Sequence, residues 1–135
     1  MVQVELTRII IDEKRQDQVI VLKEKKGTRQ FPIVIGFLEA SSIKMKLSGI
    51  EPPRPMTHDL LVSTIKSFEA KMEKLIIDKM VNNTFHARLE LKTKDNRVIS
   101  VDSRPSDGIA LVVRTGAEIF VEEDVFNKVA VNKEN

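Results

Sequence analysis

Apolar and polar residues alternate along the first quarter of the chain and then change period. Residues 2–11, Val-Gln-Val-Glu-Leu-Thr-Arg-Ile-Ile-Ile, alternate before closing on three isoleucines, the pattern of a strand covered on one face and then on both. The charged run from Asp12 to Asp17 predicts a turn, Val19 to Leu22 a second strand and Lys25-Lys26-Gly27 another turn. Gln30 to Ile35 then gives a third strand whose Pro32 points to an edge or a bulge. The period becomes helical after Gly36, where Phe37 or Leu38, Ala40, Ile43 and Leu47 share a stripe that Gly49 ends. Glu51-Pro52-Pro53-Arg54-Pro55 is a stiff connector, because each proline fixes its own φ and restricts its neighbour.

From Thr57, the spacing of Leu60, Leu61, Thr64, Ile65 and Phe68 predicts a second amphipathic helix reaching about Ala70. Lys71 to Val81 and Thr84 to Lys92 flank Asn82-Asn83 and predict a hairpin; Asp95-Asn96 turns the chain into a strand from Arg97 to Val101. A third helix runs to Arg114, with Gly116 as its stop. Glu118 to Val121 is a short strand, Glu122 to Val129 a terminal turn or short helix, and residues 131–135 a frayed tail. About seven short strands arrive in antiparallel runs between three main helices. The expected fold is α+β, an antiparallel or mixed sheet built from two meanders, as a single domain over residues 1–135.

Two element junctions carry most of the candidate chemistry. Val98-Ile99-Ser100-Val101 feeds through Asp102-Ser103-Arg104-Pro105 into the helix that contains Ser106 and Asp107. Arg54-Pro55-Met56-Thr57-His58-Asp59 repeats that grammar half a chain earlier. A helix N-terminus favours anions, and a neighbouring guanidinium adds a fork suited to phosphate or carboxylate. Ordinary capping accounts for the same residues: Thr57 and Ser103 or Ser106 are N-cap types, and Asp59 and Asp107 are first-turn acids worth roughly 0.3–1 kcal/mol each. Glu39 has the same dipole role available to it. His58 is a candidate general base, phosphate donor or metal ligand, or simply a solvent-facing helix starter, and His86 falls on the wet face of its strand.

Composition narrows the chemistry. The chain has no cysteine, which removes disulfides, thiolate metal sites and cysteine nucleophiles together. Carboxylates and two histidines remain as ligands, so a bound metal would be a hard one such as magnesium or manganese. Net charge is only +2, from 22 basic and 20 acidic residues, so no global cationic field announces a nucleic-acid binder. No Trp and no Tyr leaves six Phe as the only stacking material. No apolar run of membrane-spanning length is present and the start lacks the pattern of a signal peptide, so the expectation is a cytoplasmic protein without a membrane partner. P-loop, Rossmann, His-Glu-x-x-His and Gly-x-Ser-x-Gly patterns are all absent.

Phe31-Pro32-Ile33-Val34-Ile35-Gly36 with Glu39-Ala40, then Arg54 to Leu61, then Val101 to Leu111, and finally Ile119-Phe120-Val121 resemble, in order, the motifs of the bifunctional nuclease domain family. The resemblance covers nearly the whole chain. It implies a small α+β domain found in bacteria and plants, with members that degrade both DNA and RNA. Gly108 stands where alanine is usual, Phe68-Glu69-Ala70 where a leucine-glycine pair is common, and His86 where tyrosine is frequent.

The leading expectation is a nuclease in which Asp102, Asp107 and Asp59 hold a divalent cation, magnesium or manganese. In it His58 assists proton transfer, Arg54 and Arg104 bind the scissile phosphate, and Thr57 and Ser106 contact substrate. The competing expectation is a non-catalytic module whose Arg-Pro helix starts capture an anion or a partner's acidic segment; low net charge and few aromatics favour it. A third treats both motifs as architecture only. Exposed strand edges such as Gln30 to Ile35 leave room for a homo-oligomer.

Overall fold

A computed structural model describes residues 1–12, 14 and 17–132. The first meander is β1 (Val2–Ile10), β2 (Gln18–Glu24) and β3 (Arg29–Ile35); it leads into α1 (Phe37–Leu47) and, past the proline connector, α2 (Thr57–Ser67). The second is β4 (Lys71–Val81), β5 (Thr84–Lys92) and β6 (Val98–Ser103), followed by α3 (Pro105–Thr115), β7 (Glu118–Val121), α4 (Glu123–Val129) and β8 (Val131–Asn132).

One mixed sheet contains all these strands in the order β6-β5-β4-β7-β1-β2-β3-β8. Both expected meanders are present, and β7 joins them, parallel to β4 and antiparallel to β1. Asn82 and Asn83 both take positive φ, the left-handed pair that a tight two-residue hairpin needs and that asparagine tolerates. The expected frayed tail requires correction in part. Val131 and Asn132 pair with Gln30 and Arg29 instead of fraying, because β3 offers them an open edge. Residues 133–135, and residues 13, 15 and 16 of the first turn, lie outside the described residues.

Alternation decides which side chains form the core. Phe31, Ile33 and Ile35 of β3, Ala87 and Leu89 of β5, and Ile119 and Val121 of β7 are buried, while their neighbours in sequence point the other way. On that face α3 is the central helix, with Ile109, Ala110 and Leu111 buried and contacts to α1, α2, β4 and β5. Each such fully buried aliphatic side chain contributes about 1.5–3 kcal/mol. Phe126 of α4 meets Phe31 edge-on at 5.4 Å, closing the other end of the core.

The second helix departs from its expected stripe. Val62 is its buried residue, whereas Leu60, Leu61 and Phe68 are exposed. In α1, likewise, Ala40 and Ile43 are covered but Phe37, Leu38 and Leu47 are not. These two helices therefore carry apolar side chains that nothing in the chain covers among the described residues.

Gly108 has a specific packing reason. A Cβ there would stand within contact distance of the methyl groups of Leu75, which is fully buried in β4. Replacing Gly108 by alanine gains about 1 kcal/mol of helix propensity but overpacks the helix against the sheet at about 1–3 kcal/mol. We expect Gly108→Ala to lower stability in urea unfolding by about 1 kcal/mol net. Leu75→Val should cost less in the alanine background than in the native one, a coupling that a double-mutant cycle measures.

Candidate functional site

The three main helices begin close together, and their first turns carry the site. At α3, Arg104 takes the extended conformation (φ −72°, ψ 145°) that a residue before proline prefers, and Pro105 occupies the first helical position. Two turns of chemistry follow from that placement. Arg104 reaches forward to Asp107, with Nε and Nη2 at 3.0 and 2.9 Å from Oδ2. The same Nη2 lies 3.1 Å from Oε2 of Glu39 in α1. The hydrogen bond that Arg104 donates to Asp107 raises its pKa above an already high ordinary value, so this side chain is a fixed cation.

His58, in the first turn of α2, bridges to both other helices. Its Nε2 is 3.0 Å from Asp107 Oδ1 and its Nδ1 is 2.7 Å from Ser42 Oγ in α1. The donor inventory assigns the protons when the imidazole is neutral. Arg114 Nη2 can only donate to Ser42 Oγ, at 3.0 Å, so the hydroxyl accepts there and gives its own proton to Nδ1. Asp107, ionised, can only accept, so Nε2 carries the ring hydrogen.

Arg114 also donates through Nε to Asp59 Oδ1 at 2.8 Å and through Nη1 to the Ala110 carbonyl at 2.8 Å. Its side chain is only 5% exposed. Asp59 Oδ2 in turn accepts the Met56 N–H at the start of α2. The Arg114 hydrogen bond, and then the Met56 N–H, hold the Asp59 carboxyl below its ordinary pKa. A continuous polar path results: Asp59, Arg114, Ser42, His58, Asp107, Arg104, Glu39.

The Asp107 end of this path opens on a groove of about 850 Å³. His58, Thr57, Asp102, Arg104, Asp107 and Glu39 line it, and the rest of its lining is largely aliphatic, from Leu38, Met45, Met56, Leu61, Ile65 and Val101 among others. Of the residues expected from sequence, His58, Asp107, Arg104, Thr57 and Asp102 therefore share one groove.

The others do not join them. Asp59 faces a separate small cavity with Arg114 and Lys46. Ser106 is buried and lines a different cavity against β3 and β5. Arg54 stands exposed on the connector, outside the groove lining. The expected set of metal ligands, Asp102, Asp107 and Asp59, does not gather, because Asp59 is held on Arg114. Among the described residues no group of three or more His, Asp or Glu side chains is arranged to hold a metal ion. Thr57 is not the N-cap; Met56 holds that position, and Arg104 holds it in α3.

Sequence reasoning passed over Ser42 and Arg114 and favoured the helix-dipole role for Glu39 over a catalytic one. Ser42 sits three residues after Glu39, at a buried position between Ala40 and Ile43, and a lone hydroxyl on a buried stripe was the available signal.

Residues 20–134 match the family described as the bifunctional nuclease domain. The chain belongs to that family. It is 37% identical over 125 residues to uncharacterized proteins of Mycobacterium tuberculosis strains CDC 1551 / Oshkosh and H37Rv, an alignment covering 93% of this chain and 74% of each relative. The match to the bifunctional nuclease domain takes in all three helices of the groove.

The Asp59–Arg114 pair fixes a pH dependence. A carboxyl whose folded pKa lies below its unfolded value of about 3.9 adds stability that is present above that pH and is lost as pH falls through the folded pKa. Asp59→Asn should lower stability by about 1–2 kcal/mol at neutral pH, and the gap from wild type should close as urea titrations are taken from pH 5 towards about 2. Arg114→Gln should cost more, about 3 kcal/mol, since it leaves acceptors on all three helices without their donor.

Proposed function

We propose that this protein hydrolyses phosphodiester bonds of nucleic acid, DNA and RNA, in the groove headed by His58, Asp107 and Arg104. The observation that carries the reading is the His58–Asp107 contact at 3.0 Å beside Arg104, in a chain of the bifunctional nuclease domain family. In this reading Arg104 is the phosphate-binding group. It is 66% exposed, far more than Glu39 or Asp107, so it can exchange a carboxylate for a phosphate oxygen at little cost in buried contacts. That exchange frees Asp107 Oδ2 while His58 still holds Oδ1. The freed carboxylate oxygen accepts the proton of a water attacking phosphorus in line, the P–O bond to the leaving oxygen breaks, and that oxygen takes a proton from solvent. Ser42 and Arg114 orient His58. Thr57 stands on the groove wall to contact the nucleotide, Asp102 lies on the bordering strand β6, and the aliphatic lining accepts base faces.

The residues present do not form a preassembled metal site, so no step here runs through an ion; magnesium and manganese enter as arms of the test. Purified protein is incubated with labelled DNA and RNA in magnesium, manganese or EDTA, beside Asp107→Asn, Asp102→Asn and Arg104→Ala prepared identically. The expected result is cleavage that falls at least about 100-fold in Asp107→Asn, with thermal unfolding showing that the variants stay folded. Wild-type levels of cleavage in folded Asp107→Asn overturn the assignment of the base. Folding of Arg104→Ala also separates this reading from a purely architectural role.

A second reading rests on its own observation. Arg104 is already neutralised by two carboxylates, and the groove is mostly apolar, a combination that suits capture of an apolar partner segment better than of a bare phosphate. A non-catalytic regulatory module predicts no cleavage in any arm.

A further inference from the structure

We infer that two copies of this chain pair through β6, antiparallel and two-fold symmetric about Ser100, and that the groove is completed by the second copy. Strand β6 is an edge of the sheet and pairs with β5 alone, in an unbroken register from Lys92↔Val98 to Ala87↔Ser103. It carries few of the devices that blunt an edge: residues 98–103 contain no proline and no lysine, the ladder has no bulge, and Asp102 is the one charge on the strand. The opposite edge does, since β3 has Pro32 and a short covering strand, β8.

The groove face of β6 is apolar and bare. Ile99 and Val101 extend the rows begun by Leu91 and Leu89 of β5, yet are 41% and 39% exposed. Leu61 of α2, on the groove, and its neighbour Leu60 are exposed as well. The groove therefore has a floor, one wall of α1 and α2, and no second wall.

Self-pairing about Ser100 answers this by register. Ile99 falls opposite Val101 of the partner subunit and Val101 opposite Ile99 of the partner subunit, so two continuous apolar rows cross four strands: Leu91, Ile99, then Val101 of the partner subunit and Leu89 of the partner subunit. On the other face the row runs Arg88, Asp102, then Val98 of the partner subunit and Lys92 of the partner subunit, so Asp102 keeps Arg88 of its own chain as its neighbour. The two Glu90 side chains are kept apart by both serines. Centring instead on Val101 would keep one apolar row through both Val101 side chains but place Ile99 opposite Ser103 of the partner subunit, so that the Ile99 rows are broken. This self-complementarity singles out a second copy over a foreign strand. Joined so, α2 of the partner subunit stands across the shared floor as the missing wall.

The chain has no cysteine, so single introduced thiols report the contact cleanly. Sedimentation of the wild type at micromolar concentration should give a dimer, and Ile99→Lys/Val101→Lys a folded monomer by circular dichroism. Under mild oxidation Ser100→Cys should cross-link to a disulfide dimer, and Thr28→Cys, in an exposed turn at the far end of the sheet, should not. A monomeric wild type, a dimer that survives the lysine pair, or equal cross-linking at 28 and 100 overturns the proposal, and preferential cross-linking of Val101→Cys overturns its register. None of these readouts depends on cleavage, so they stand apart from the nuclease assay.

Discussion

A single buried cation sets the geometry of the groove. Arg114 is surrounded by the three main helices and gives each of them a hydrogen bond: Asp59 in α2, Ser42 in α1 and the Ala110 carbonyl in its own α3. Removing a guanidinium from water costs several kcal/mol unless its donors are all met, so these acceptors are needed as a set. The helices are consequently docked by a polar constraint as well as by the aliphatic contacts of Ile43, Val62 and Ile109. Aliphatic packing tolerates small slides; a charged fork with fixed donor directions does not. That is why His58, two bonds along the path, has a defined ring orientation.

The open end of the path differs in electrostatic character. Arg104 sits between Glu39 and Asp107, so the mouth of the groove carries one cation against two carboxylates, with Asp102 nearby. Such a mouth does not attract phosphate by its resting charge. In the proposed hydrolysis a polyanion displaces an internal partner of Arg104, which frees that carboxylate to serve as the base where the phosphate arrives. Binding and activation of the base would be one event, coupled through a side chain exposed enough to turn. The same charge balance fits the near-neutral total charge of the chain.

Strands were legible in the sequence and helix faces were not. Alternation over β3 and β5, the Asn82-Asn83 turn and the Gly116 stop are local signals whose physics is complete within a few residues. The order within each meander follows from them, but not the insertion of β7 between β1 and β4 or the addition of β8 to β3, both of which depend on contacts far apart in the chain. In α2 the stripe of Leu60, Leu61 and Phe68 looked like a core face, because periodicity reports amphipathicity without saying which side is covered. The site divides in the same way. His58, Asp107 and Arg104 stood out because each lies in a dense polar junction. Ser42 and Arg114 did not, because each looks ordinary locally and acquires its role from a partner 72 residues away. Gly108, where alanine is usual, has its reason in Leu75, which lies beneath it from a strand far away in the chain.

The two Arg-Pro motifs are alike in sequence and unlike in structure, and the difference lies in what holds each aspartate. Asp59 and Asp107 occupy the same third position of their helices, each with an arginine on its carboxylate. In α2 the proline falls before the N-cap, so Arg54 is carried away from the helix and Asp59 is left to take the Met56 N–H and the buried Arg114. In α3 the proline is itself the first helical residue, which makes Arg104 the N-cap and lets its side chain fold forward onto Asp107. One aspartate is thus locked by a guanidinium 5% exposed, the other covered by one 66% exposed. A carboxylate that must release its partner to act can do so only where that partner has water to move into, and among these two that condition is met at Asp107 alone.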